Sequence, residues 1–168
     1  MFAAHSALAR YYPEFEDLNN DGMSDWWEYR YFGTLSVVSN QDLDGDEFLN
    51  YEEAMDRTNP KDPSSFPQPP VIQHQALANP QTSPAPWVVS AVITDNYRVA
   101  SATLFWRVNT GDWQNAAMIA GSNAGVYAQS IPGPALDGDE AAYRIEASDP
   151  IGLASTNGPH ALEVHYPI

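Results

Sequence analysis

The chain has 168 residues, 22 of them acidic and 7 basic, for a net charge of −15, and it contains no cysteine. So few cations point away from nucleic acid, whose phosphates demand a basic face, and without thiols no disulfide braces the fold. No apolar run approaches the roughly 20 residues of a membrane-spanning helix. The opening Met-Phe-Ala-Ala-His-Ser-Ala-Leu-Ala is too short for a secretory signal and lacks its basic start. Residues 1–13 read as an N-terminal extension, and Pro13 argues against a helix running into the acidic stretch that begins at Asp17.

Residues 17–28 place Asp17, Asn19, Asp21, Asp25 and Glu28 at positions 1, 3, 5, 9 and 12 of a twelve-residue stretch, with Gly22 at position 6. A hard cation with six to eight oxygen ligands needs this spacing: carboxylates on alternate residues of a tight turn, the carbonyl at position 7 (Met23), and a glutamate binding through both oxygens. Residues 42–53 repeat it with Asp42, Asp44, Asp46, the carbonyl of Phe48, Asn50 and Glu53. Here Glu47 stands in place of the turn glycine. A positive φ at that position costs a non-glycine residue on the order of 1 kcal/mol, so the second loop is expected to be the weaker, with Gly45 able to take up part of the turn. The spacing predicts two calcium ions. The competing reading is a pair of ordinary acidic turns.

Charge favours the metal. Residues 1–63 hold 14 acidic and 4 basic side chains, a net −10, with four carboxylates and no cation in the first loop and six carboxylates in the second. Crowded like charges raise pKa values and oppose folding unless a counter-charge sits between them. Without ions this segment is expected to be loose.

Only thirteen residues, 29–41, separate the loops, too few for a helix, a linker and another helix. The arrangement predicted is loop, helix, loop, helix, with helices over 25–32, stopped by Gly33, and 50–58, stopped by Asn59-Pro60. The pattern Asp17-x-Asn19-x-Asp21-Gly22-Met23-x-Asp25-Trp26-Trp27-Glu28, then Phe32-Gly33, then Asp42-x-Asp44-Gly45-Asp46 to Glu52-Glu53 and Thr58-Asn59-Pro60, resembles the bacterial thrombospondin type 3 repeat over residues 14–63. The resemblance implies a calcium-dependent structural spacer of a secreted or surface protein. Dockerins share the loop-helix logic, but their helices carry aliphatic and basic or hydroxyl recognition residues. Here the helices carry Trp26, Trp27, Tyr29, Tyr31 and Phe32. These aromatics read mainly as the small core of a module over 14–58, and otherwise as a platform for sugar or protein. Extracellular loops of this kind bind calcium at about 10⁻⁴ to 10⁻³ M, which suits an extracellular or cell-surface location.

Five prolines, at positions 60, 63, 67, 69 and 70, make residues 59–70 a semi-rigid linker. Beyond it, apolar runs at 71–77, 87–94, 102–108, 113–119, 126–131, 141–148 and 161–166 alternate with turn residues, including Asn157-Gly158-Pro159. Pro80, Pro84 and Pro86 suit a loop or an edge strand. Alternation assigns Leu104, Trp106, Val108, Tyr143, Ile145, Ala147, Leu162, Val164 and Tyr166 to a core. With Tyr143-x-Ile145-x-Ala147-x-Asp149-x-x-Gly152 in place, residues 71–168 resemble a bacterial immunoglobulin-like or fibronectin type III domain. That implies a stalk, spacer or binding module.

The fold class expected is therefore mostly β: a small calcium-bound loop-helix-loop-helix module followed by a seven-stranded immunoglobulin-like β-sandwich. No catalytic constellation stands out. His5, His74, His160 and His165 are scattered, and there is no nucleophile elbow, phosphate loop or dinucleotide fingerprint. Asp137-Gly138-Asp139-Glu140 reads as a turn. The expectation is a non-catalytic calcium-binding spacer, the carboxy-terminal part of a longer chain. Two alternatives are an adhesion module for a surface protein or polysaccharide and a subunit assembling into fibres through strand pairing of residues 1–16 or the last strand.

Overall fold

The computed structural model describes residues 16–133 and 135–166; the expected N-terminal extension lies outside them. The fold is mostly β and divides into two compact units, Met1–Gln68 and Pro69–Ile168.

In the first unit, helix α1 spans Asp25–Tyr31 and helix α2 spans Asn50–Asp56. Each starts at position 9 of its acidic loop. Ser24 caps α1, its Oγ accepting from the Trp27 amide at 3.3 Å. Leu49 has no side-chain acceptor to cap α2, and the Glu52 carboxylate instead takes the Leu49 amide at 2.9 Å. Both helices end where predicted to within two residues. Gly33 turns left-handed at φ 73° after α1, and Arg57 does the same at φ 60° after α2. The core is small: Met23, Trp27 and Ala54, with Trp26, Tyr31, Phe32, Val37 and Tyr51 partly buried around it. Trp27 is fully buried, its ring meeting Tyr31 at 5.3 Å and Phe32 at 5.6 Å, and its indole N–H donates to the Thr58 carbonyl at 3.0 Å.

The first unit extends past the expected end of the module. Residues 59–66 do not run free as a proline spacer; they turn back on the loops, with Lys61 Nζ donating to the Tyr31 carbonyl at 2.7 Å and Phe66 stacked on Phe48 at 6.3 Å. Prolines fix φ but do not forbid turns, and Asp62, Ser64 and Ser65 supply the side-chain bonds that close one here.

The second unit packs two four-stranded antiparallel sheets around one core. Its strands are β1 (Val71–Gln73), β2 (Trp87–Thr94), β3 (Ser101–Val108), β4 (Gln114–Ala117), β5 (Ile119–Ala120), β6 (Val126–Ile131), β7 (Glu140–Ser148) and β8 (Ala154–Glu163). One sheet is ordered β1-β2-β6-β5, the other β4-β3-β7-β8. There are eight strands rather than seven because the run 113–119 is divided. Met118 turns its side chain into the core, its amide is donated to the Ala102 carbonyl, and the chain passes from one sheet to the other.

The last strand also departs from expectation. Asn157-Gly158-Pro159 is not a turn but lies inside β8, where the pairing with β7 slips between Tyr143 and Ile145. The bulge absorbs a glycine at φ 111° and a proline that the ladder could not otherwise hold. Along β2 the burial alternates strictly, and Val89, Ile93, Leu104, Tyr143, Ile145, Leu162 and Val164 are buried. Trp106, Val108 and Tyr166 are only partly covered.

Candidate metal centre

The two loops are built alike, twenty-five residues apart. At position 1, Asp17 accepts the amides of Asp21 (3.2 Å) and Gly22 (3.0 Å), and Asp42 accepts those of Gly45 (2.7 Å) and Glu47 (3.0 Å). At position 5, Asp21 and Asp46 each accept the amide two residues on, from Met23 and Phe48, at 2.9 Å. Positions 4 and 6 are left-handed in both: Asn20 at φ 58° and Gly22 at 90° in the first, Gly45 at 83° and Glu47 at 79° in the second. Glu47 thus takes the conformation that glycine normally supplies, and Gly45 takes the other strained position. These bonds curl both backbones into the same kind of turn.

In the second loop the carboxylates meet. One oxygen each from Asp42, Asp44 and Asp46 lie within 4.8 Å of one another, a half-buried acidic group that could hold a metal ion. Among the described residues no other three acidic, histidine or cysteine side chains come so close. The first loop has Asn19 at the matching place, and its amide is donated to Asp21 (2.9 Å) and to the Leu35 carbonyl (2.7 Å).

Positions 9 and 12 lie on the helices. Asp25, Glu28, Asn50 and Glu53 are all buried. Asp25 Oδ2, both oxygens of Glu28, Asn50 Oδ1 and Glu53 Oε2 have no hydrogen-bond partner, and the same holds for both oxygens of Asp44 and for Asp46 Oδ2. The remaining atoms are engaged: Asp25 Oδ1 accepts the Leu18 amide at 3.0 Å, Asn50 Nδ2 donates to the Val38 carbonyl at 2.8 Å, and Glu53 Oε1 accepts the Thr58 hydroxyl at 3.1 Å. Burial pushes Glu28 from 4.5 up to about 7, helped by repulsion from Asp21, with the nearby Val37 backbone lowering it and lesser repulsion from Asp25 and Asp17 raising it. Burial likewise pushes Glu53 to about 8, with Asp44, Asp46 and Asp42 adding to it against the Thr58 bond. Asp44 is raised too, by desolvation and by its neighbour Asp46. A buried oxygen without a donor costs several kcal/mol unless a counter-charge meets it. All-oxygen donors of this kind suit a hard cation.

Thr58, which fixes one oxygen of Glu53, and Asp56, buried one turn beyond Glu53, were not singled out by the loop pattern, which ends at position 12. The Asp137-Gly138-Asp139-Glu140 segment is a turn: Asp139 accepts from Leu136 N and Asn109 Nδ2, and Asp137 from Tyr166 N.

No family model matches the chain, and no curated protein does. Among solved structures it is similar to the crystal structure of a Br derivative of BhCBM56, a carbohydrate-binding module, at a TM-score of 0.33 and 15% identity, over 57% of this chain and 91% of that one. So distant a likeness decides neither fold nor function. Among the described residues no helix is long and apolar enough to cross a membrane.

Proposed function

We propose that the first unit binds two calcium ions, one in each loop, and that the chain is a non-catalytic, calcium-stiffened spacer of a secreted or cell-surface protein. One observation carries this reading: positions 9 and 12 of both loops are buried and keep oxygens with no hydrogen bond. An acidic turn serving only as a turn would leave those oxygens to water. In the first loop Asp17, Asn19, Asp21, the Met23 carbonyl, Asp25 and Glu28 form the ligand set. In the second it is Asp42, Asp44, Asp46, the Phe48 carbonyl, Asn50 and Glu53. Six or more oxygens on a flexible loop favour calcium over magnesium, which holds its waters and demands a stricter octahedron.

For the second unit, the order β1-β2-β6-β5 against β4-β3-β7-β8 supports an immunoglobulin-like sandwich, with β4 added beside the usual three-stranded sheet. The aromatic platform has less support. On the first unit Trp26 is met by Arg30 (5.0 Å) and Arg57 (5.8 Å), and Phe32 by Lys61 (4.9 Å), so the chain's own cations already occupy those rings. Calcium titration by calorimetry tests the reading. Two ions per chain are expected, and no binding at millimolar calcium overturns it.

A further inference from the structure

We propose that residues 58–66 are a calcium-dependent latch rather than a passive linker: an ion in the second loop holds them against the first unit, and its loss releases them. This rests on the calcium reading of the second loop and goes beyond it, because none of these residues is a ligand.

Two contacts tie the segment to residues of the second loop. The Thr58 hydroxyl donates to Glu53 Oε1 at 3.1 Å, leaving Oε2 buried and without a partner. Phe66 stacks nearly parallel on Phe48, 4° between planes, and Phe48 carries the position 7 carbonyl. Between these points the segment is folded as one piece. Asp62 accepts from Ser64 N (3.1 Å) and Ser64 Oγ (2.6 Å), its carbonyl accepts from Ser65 N (2.8 Å), and Ser65 Oγ accepts from Asn59 N (3.0 Å).

These bonds are weak taken alone. Phe66 stays 39% exposed, and a solvent-facing turn of this size is worth little beyond its own ordering cost. What holds it is the fixed position of Glu53 and Phe48. With no ion, the four ligand carboxylates of the second loop repel one another and those anchors separate. With an ion, the anchors are pinned and the turn closes on them. The segment leads directly into the second unit, so its release adds up to about 3.1 Å of reach per freed residue. Calcium would then set the length and stiffness of the connection.

Amide hydrogen exchange on the full chain, with calcium or with chelator, reads this at the hydrogen-bonded amides of Lys61, Asp62, Ser64 and Ser65. Protection is expected in calcium, lost in chelator and in D44N/D46N, and kept in D17N/D21N. Phe66→Ala, which removes no ligand, is expected to keep two ions per chain by calorimetry while losing protection across 61–65. If two ions bind but exchange at 61–65 is the same with and without them, the latch is wrong and the calcium reading stands. If no calcium binds, both fall.

Discussion

Glu28 shows how one side chain can set the behaviour of the first unit. A carboxyl whose folded-state pKa is raised contributes stability below its ordinary value of 4.5 and loses it as pH climbs through the folded value. For Glu28 and Glu53 that window runs from 4.5 to about 7 and about 8. The calcium-free protein is therefore expected to melt at a lower temperature at pH 8.5 than at pH 5, and thermal unfolding in chelator checks it; a melting point that rises with pH refutes it. Glu28→Gln removes the buried charge. It should raise the calcium-free melting temperature at pH 8 and abolish the part of the calcium response that belongs to the first loop, both read by the same melts. Glu47 makes the complementary case. The sequence showed a glutamate where glycine was wanted, but not that the backbone would accept φ 79° there. That outcome depends on the amides of Gly45 and Glu47 both reaching Asp42, a balance of bonds against strain that no residue type announces.

Among the elements, helices and most strands were legible because their signals are local: Gly33 after α1, strict alternation along β7, and alternation over the first half of β3, where Leu104 is buried. β8 was misread for the opposite reason. Asn-Gly-Pro is strong turn chemistry, and only the partner strand, by slipping at Tyr143, makes room for it. The geometry is tight. A Cβ on Gly158 would sit 3.0 Å from both Arg144 Cβ and the Tyr143 carbonyl, at φ 111°. Gly158→Ala should cost the second unit about 2–4 kcal/mol in denaturant titration, with the same loss in calcium and in chelator. Tyr143→Phe tests the other side of that junction. The Tyr143 hydroxyl accepts the Leu77 amide at 2.9 Å and meets His74 Nε2 at 2.8 Å, so it ties the loop after β1 to the opposite sheet. Its removal leaves those partners unsatisfied and should cost about 1–3 kcal/mol, again without calcium dependence.

For the whole molecule, charge and core are distributed unequally, and this is what makes the units separable by experiment. The second unit has a continuous core across both sheets and a net charge near −5 over residues 64–168. Among the described residues the buried apolar cluster of the first is only Met23, Trp27 and Ala54, while residues 1–63 hold net −10. A core that small cannot offset repulsion of that size by burial alone, so its folding should follow the ions that neutralise it. Scanning calorimetry of the full chain is expected to show two transitions. With affinities near 10⁻⁴ M, raising free calcium to about 10 mM stabilises the native state by roughly 2.7 kcal/mol per ion. That moves the melting point of a small unit by on the order of 10 °C for each site. Only the first unit's transition should move, while the sandwich melts at the same temperature in chelator and in calcium. Sodium chloride at equal ionic strength separates site binding from screening, since screening acts on all exposed charges but cannot enter a buried cluster such as Glu28 and Asp25. A shift reproduced in full by sodium, or shared equally by both transitions, would mean that the ions act on the surface as a whole and not in the loops.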